Sequence, residues 1–436
     1  MGRSASEATD SGRRPSWYRL ALLVGALTLG VGMTAWAQDP DPPDAVADTQ
    51  PASAPEDDFE AELANDWSDI KLRRTPHDVH ELLIDETAED FRRGETAEVT
   101  VTSAPAAVSI RKALRERQGG KYRVATYTSR VIHTVFPFND LVPSWNVNVP
   151  EGTGFVVQIR VGRRAGDFWT DFYYLGRWGK TPEKAVKKVV RDENGAIDID
   201  YLRAEQAFDR IQYRVLLVTT DPGHTPALRR FALAYSNTLD DAALAREHRS
   251  KVRPGAAARW TTRLPVPFRS QRHEDPKIAG SICSPTSVSM VMEYRGASQP
   301  TAHMAEIIWD EEYKIFGNWP RAVQGAYLFG VPGYLRRFGN WDEVRQQIAA
   351  GQPVIASIRV KELDGLRGAP YRRSNGHLLV IVGFDADGHV LVNDPAARTP
   401  EQGMAAYYLE DMDKAWLDHG GVGYILTEPE VVAAGQ

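Results

Sequence analysis

Internal disulfides are closed to this chain, because its 436 residues hold a single cysteine, Cys283. An exported domain that relies on disulfide staples uses cysteines in even numbers. A lone thiol is a small buried hydrophobe, a link to another molecule or a redox sensor, or a nucleophile kept for its reactivity. Other absences narrow the chemistry. No CxxC or HExxH spacing and no Walker or Rossmann glycine pattern occurs, which argues against zinc, iron–sulfur and nucleotide chemistry, and no cofactor is expected. Basic and acidic residues nearly balance, 52 against 58, so no broad basic surface for nucleic acid is implied. No internal repeat of solenoid or propeller length is visible.

Long apolar runs are scarce, and the one near the N-terminus reads as an address. Arg13, Arg14 and Arg19 precede the apolar stretch Leu20 to Met33, and Ala35-Trp36-Ala37 gives a small-x-small cleavage site. Residues 1–37 are therefore expected to be a signal peptide, placing the mature protein outside the cytoplasm, secreted or in the periplasm or cell envelope. Trp17 to Trp36 is just long enough to span a bilayer, but the Ala-x-Ala ending favours cleavage, leaving no stable membrane span. Arg13-Arg14 suits twin-arginine export, whereas Pro15-Ser16-Trp17 continues that motif poorly and favours the general route.

Residues 38–58 are rich in Pro, Asp and Ala without apolar periodicity and read as a disordered linker. Residues 59–239 are expected to form a β domain. Its first part, 59–120, shows little pattern beyond a short helix around Val79 to Phe91 and a strand in AEVTVTSA. From Tyr122 onward, KYRVATYTSRVIHTVF, GFVVQIRVG, DFWTDFYYLGRW, RIQYRVLLVTT and RRFALAYSN are β-branched and aromatic runs, several alternating at period two. Turns at Pro150-Glu151-Gly152, Glu193-Asn194-Gly195 and Asp221-Pro222-Gly223 separate them, which suggests an antiparallel sandwich or jelly roll. Residues 240–262 form a charged, Ala-rich connector. Residues 263–430 change texture, with helical patterns at Pro285 to Tyr294, His303 to Trp309, Trp319 to Phe329 and Trp341 to Ala349, then strands PVIASIRV, HLLVIVGF, HVLVND and GVGYILT. That order is α+β.

The chemistry gathers in this second domain. Ser281-Ile282-Cys283-Ser284-Pro285 opens a helix, Pro285 suits its first turn, and Val288, Val291 and Met292 supply an apolar stripe. A thiol there meets free backbone N–H groups and the positive end of the helix dipole, which favour the thiolate. His377 opens the strand LLVIVGF, Asp385 to Gly388 makes a tight turn, and the return strand ends at Asp394. A hairpin folded there brings His377 and Asp394 to the same end of adjacent strands, as an imidazole base oriented by a carboxylate requires. Asp385-Ala386-Asp387-Gly388 looks like half a calcium loop, but the twelfth position is Ala396, so a turn is expected and no metal. His273, His303, His389 and His419 show no ligand spacing.

The blocks VPFRSQ, SICSPTSVSMVMEYRG and NGHLLVIVGFDADGHVLVNDPAA resemble the C39-like peptidase family of the papain-like cysteine proteases. The resemblance covers roughly residues 264–428. It implies Cys283 as nucleophile, His377 as general base and acid, Asp394 as orienting carboxylate and Gln271 as the oxyanion-hole amide. The chain departs from the family's usual pattern at Ser284, where Gly is common, and in the loop RHEDPKIAGSI between Gln271 and Cys283. Its transporter-fused relatives cut double-glycine leaders, but no transporter helices stand here. Ser144-Trp145-Asn146-Val147 and Pro150-Glu151-Gly152-Thr153 resemble a galactose-binding-like sandwich found before secreted C39-like domains. That implies glycan contact, with Trp145, Trp169, Tyr173 and Trp178 as candidates against a simple core role. The resulting expectation is an exported cysteine peptidase acting on peptide or protein substrates, cell-envelope peptides among them, by hydrolysis or transpeptidation. The alternatives are a non-catalytic surface or glycan-binding protein on a papain-like scaffold, and a redox or dimer-forming thiol.

Overall fold

Alternation sets the architecture of the N-terminal region. In the strand Tyr201–Thr219, the side chains of Ile211, Tyr213, Val215 and Leu217 are buried in one core with Val161, Ile159, Val157 and Phe155 of the strand Thr153–Arg163. The register places these residues directly opposite one another in that order, so every inward side chain packs on a cross-strand partner. Tyr213 stacks on Phe231 with ring centroids 3.8 Å apart, and its hydroxyl donates to Asp85 Oδ2 at 2.8 Å. Arg130 Nη1 donates to both oxygens of the same buried carboxylate, at 2.8 and 2.9 Å.

The structure, a computed structural model, describes residues 79–115, 121–182, 187–239 and 261–429. The expected export signal, the spacer at 38–58, residues 59–78 and nearly all of the connector lie outside the described residues. Within them, the N-terminal region is one continuous eleven-stranded antiparallel sheet. Its longest strand changes partners along its length. Leu202 to Ile211 pairs with the strand Ile132–Asn148, through two register shifts, while Arg210 to Thr219 pairs with Thr153–Arg163 on one side and Arg214 to Thr219 with Arg123–Thr128 on the other. Such irregularities bend a strand.

The expected helix around Val79 to Phe91 is corrected. His80–Asp85 is a strand paired with Ala227–Ser236, and the helix is only Ala88–Arg92. Thr87 and Asp90 form a reciprocal capping box that starts the helix there. Upstream, HELLID has no 3.6-residue stripe and completes a sheet edge instead.

The C-terminal region places the helices Cys283–Tyr294, Thr301–Ile308, Trp319–Tyr327 and Trp341–Ala349 around a seven-stranded sheet. Asn318 and Asn340 cap the last two, each accepting a backbone N–H on its side chain. In sheet order the main strands are Gly333–Arg337, Val422–Leu426, Val354–Val360, Ser374–Phe384 and Val390–Asn393. The edge strand Gly333–Arg337 and the helix Leu409–Ala415 had no sequence expectation.

The described residues belong to one compact unit, and the contact between its two regions follows the same period-two logic. Along Ile132–Asn148, Trp145 and Val147 face the N-terminal core, whereas Asp140, Val142, Ser144 and Asn146 face the C-terminal region. Val142 joins the apolar cluster that contains Cys283. Ser144 Oγ accepts Leu335 N at 2.9 Å, and Asn146 Oδ1 accepts Gly333 N at 3.1 Å. Side chains of one sheet thus satisfy the open edge of the other. Gln324 donates Nε2 to Val147 O at 2.8 Å and accepts Val147 N at 2.9 Å. Arg337 grips Asp140 with Nε and Nη2 at 2.7 and 2.8 Å, both side chains buried.

Candidate active site

Cys283 is the first residue of its helix, and no side chain caps that end. The orphan N–H groups of the first turn are therefore available to the thiol. The helix is not a surface helix with one apolar stripe. Every residue from Cys283 to Met292 is buried, including Ser284, Thr286, Ser287 and Ser289. Ser287 Oγ donates to Leu378 O at 3.1 Å, and Thr286 Oγ1 donates to Ile282 O at 2.7 Å. The Ser287 bond ties the Cys helix to the strand that carries His377.

That strand, Ser374–Phe384, pairs with Val390–Asn393, and Val380 opposite Asn393 is the last pair. His377 and Asp394 both lie just past this end, on the same side of the hairpin. His377 Nε2 is 2.8 Å from Asp394 Oδ1. Because Nε2 is taken, the nitrogen left for the thiol is Nδ1, and the imidazole and the Cys283 thiol each shift the other's titration. The three residues singled out from separate stretches of sequence thus meet at one point.

Burial alone would raise the Cys283 thiol. The hydrogen bond and charge of His377, together with the N–H groups of Leu378 and Ser284, outweigh it and hold the thiol below its usual range. For His377, burial favours the neutral ring, but the charge and hydrogen bond of Asp394, reinforced by the thiol, raise it to about 10. Asp394 would also be raised by burial, yet His377, the Ala396 N–H and Tyr371 bring it below the ordinary carboxylate value. The three shifts agree on a thiolate–imidazolium pair backed by a carboxylate.

Two residues at this point had no sequence expectation. Tyr371 and Tyr407 each donate a hydroxyl to Asp394 Oδ2 at 3.0 Å. Tyr371 also sets its ring edge-on to His377, 4.9 Å between centroids. The rule that buried carboxylates need donors is the signal that points to them.

Gln271 is buried in a one-turn 3-10 segment, Gln271–His273. Its backbone N–H donates to Pro395 O at 2.9 Å, and Ser270 and Arg272 bond the carbonyls of Ala397 and Ala396. The Gln loop is thereby sewn to the residues that follow Asp394. Gln271 Nε2 donates to Ala279 O at 2.8 Å, on the loop leading into Cys283, leaving its second amide proton uncommitted, while Oε1 has no partner among the described residues.

Access to the thiol is narrow, with Cys283 4% and His377 6% exposed. Clefts of about 430 and 730 Å³ flank the loop that carries Tyr371, and Cys283 lines neither. Ligand atoms of Asp385, Asp387 and His389 lie within 4.8 Å of one another. Asp385 Oδ1, however, accepts the N–H groups of Asp387 and His389, and Oδ2 pairs with His389 Nδ1. This is the expected hairpin turn closing on itself.

Of the aromatic residues considered for glycan contact, two are buried and two are half-buried. Trp145 and Tyr173 are core residues. Trp169 lies between Arg160 and Arg210, and Trp178 lies under Arg321.

Residues 263–424 match the model of the Peptidase_C39 like family, and residues 82–236 match that of the Peptidase C39 N-terminal domain. No curated protein matches the chain. Among solved structures, a double glycine motif protease from an AMS/PCAT transporter, in complex with its leader peptide, is 18% identical with a TM-score of 0.26, covering 38% of this chain and 94% of its own. A family 29 carbohydrate binding module is 13% identical with a TM-score of 0.17, covering 36% of this chain and 85% of its own. At such scores neither bears on what this chain does. Among the described residues no helix is long and apolar enough to cross a membrane. Residues 263–424 thus form a domain of the Peptidase_C39 like family, with a Peptidase C39 N-terminal domain at residues 82–236 ahead of it.

Proposed function

We propose that this protein is an exported cysteine peptidase with a papain-like catalytic domain that cleaves peptide bonds, those of cell-envelope peptides among them, through Cys283, His377 and Asp394. The observation that carries this reading is the His377–Asp394 contact of 2.8 Å beside a buried thiol at a helix start, whose pKa the same imidazole lowers. In the resting pair the thiol proton resides on His377. The thiolate attacks the substrate carbonyl carbon, a C–S bond forms, and the carbonyl electrons move to the oxygen. The Cys283 N–H and the uncommitted amide proton of Gln271 donate to that oxyanion. Collapse breaks the C–N bond, and the His377 proton goes to the leaving amine, giving a thioester. Water then gives a proton to His377 and attacks the thioester, the C–S bond breaks, and the thiolate–imidazolium pair is restored. Asp394 holds the ring in the tautomer and orientation that both transfers need. An amine in place of water at the last step would give transpeptidation.

The signal-peptide pattern expected at 1–37 supports an extracytoplasmic site of action. In the N-terminal domain, the core roles of Trp145 and Tyr173 favour a structural partner of the peptidase domain over a glycan reader. The test is iodoacetamide labelling of the mature protein from pH 5 to 9, beside the His377→Ala variant, with cleavage of a peptide library and a cell-wall digest. Fast labelling at pH 6 that depends on His377, and cleavage abolished in Cys283→Ala, are the expected results. Labelling that rises near the unperturbed thiol value of about 8.5 in both proteins would overturn the reading.

A further inference from the structure

Asp394 is completely buried, yet none of its acceptor capacity is wasted. Oδ1 pairs with His377 Nε2 at 2.8 Å and accepts Ala396 N at 2.9 Å. Oδ2 accepts the hydroxyls of Tyr371 and Tyr407, each at 3.0 Å. The two tyrosines arrive from unrelated segments. Tyr407 is fully buried on the two-residue strand Ala406–Tyr407. Tyr371 lies on the loop between the strands Val354–Val360 and Ser374–Phe384. That loop is fastened at its far end, where Arg367 donates to Asp411 at 2.7 and 2.9 Å and lies over the Tyr408 ring. The fastening therefore joins the segments that carry both hydroxyls.

We infer that Tyr371 and Tyr407 are positioning residues, a two-hydroxyl clamp that fixes the Asp394 carboxylate so that Oδ1 stays on His377. The inference rests on the triad reading above. A carboxylate held at one oxygen only turns about its Cβ–Cγ bond. Two donors on Oδ2 stop that rotation and keep the carboxylate ionised without a proton of its own. Charge on Asp394 in turn stabilises His377 as imidazolium, and the imidazolium stabilises the thiolate. The groups titrating in this cluster are Cys283, His377, Asp394 and the two phenols, so removal of either hydroxyl acts through Asp394.

The test uses Tyr371→Phe and Tyr407→Phe in the full mature protein, with melting curves to establish folding. Iodoacetamide labelling is followed from pH 5 to 9, and the proton between His377 and Asp394 is followed by low-field NMR. Each variant is expected to label about tenfold more slowly at pH 6, the size of losing one hydrogen bond to a charged group. Labelling at pH 9 is expected to stay within twofold, and the low-field signal to shift or broaden. A merely structural role moves the melting temperature and leaves the pH profile in place. Profiles and signals that superimpose on those of the unaltered protein would overturn the inference. If the unaltered protein itself labels as an ordinary thiol, the triad reading fails while the NMR signal still decides the clamp. Tyr371 is the half-buried member, so Tyr371→Phe keeps the test decisive should Tyr407→Phe not fold.

Discussion

His377 turns Nε2, not Nδ1, toward Asp394, at 2.8 Å, and so presents Nδ1 to Cys283. This one orientation decides which nitrogen exchanges a proton with the thiol. It is held from behind by a carboxylate with donors on both oxygens.

Peptide cleavage is expected to have a broad pH plateau. The acid limb belongs to the thiol, held below its ordinary range by His377. The alkaline limb belongs to His377, raised to about 10. A kcat/KM profile from pH 4 to 11 checks this, and Asp394→Asn is expected to narrow the plateau from both sides, because the charge that supports His377 is gone.

Gln271→Ala is expected to lower kcat by roughly 10²–10³, the usual size for one oxyanion donor, with KM little changed. Labelling of Cys283 at pH 6 is expected to stay near its original rate. A parallel loss of labelling would show Gln271 to be a support for the loop before Cys283, through Ala279, instead of an oxyanion donor.

Asp200 accepts the Trp319 N–H at 2.6 Å at the junction of the two regions, and burial raises its pKa to about 8. The folded state therefore holds this proton after the unfolded chain has released it. Stability from this group is present below the ordinary carboxylate value and is lost as pH rises toward 8. Asp200→Asn keeps an acceptor for Trp319 and is expected to add on the order of a few kcal/mol at pH 8 to 9, while flattening the dependence between about pH 4 and pH 8. Urea denaturation across that range measures it.

Asp140→Ala leaves Arg337 buried without its carboxylate, and a loss of about 3–5 kcal/mol is expected. Gln324→Ala strands the N–H and carbonyl of Val147, with an expected cost of about 2–3 kcal/mol. Because Val142 and Ala234 share a core with Cys283, unfolding is expected to remain a single transition. Two separated transitions by tryptophan fluorescence and circular dichroism would show the regions to be independent.

The meeting of Cys283, His377 and Asp394 was legible in the sequence because the placement of each rests on local rules. Pro285 marks a helix start, the Asp385 to Gly388 turn fixes a hairpin, and a hairpin fixes which residues share an end. Most strands were legible for the same reason, since a period-two run reports its own inward face. Where the local pattern was weak, as at HELLID and at Gly333–Arg337, the strand existed only because a partner edge or face was waiting for it. The Cys helix differed from its pattern: Val288, Val291 and Met292 gave one apolar stripe, but the helix is buried from Cys283 to Met292, and Thr286 and Ser287 bond the Ile282 and Leu378 carbonyls.

By itself, the sequence determined the chemistry available to this protein, one thiol at a helix start and a His–Asp hairpin, because those placements depend on neighbours a few residues away. Tertiary structure alone decided what surrounds that chemistry. The Tyr371 and Tyr407 hydroxyls on Asp394 and the Ser144, Asn146 and Asp140 face that joins the two regions unite residues far apart in the chain. The physical reason is that buried polar groups must find donors and acceptors wherever the fold brings them, and no local pattern names those partners in advance.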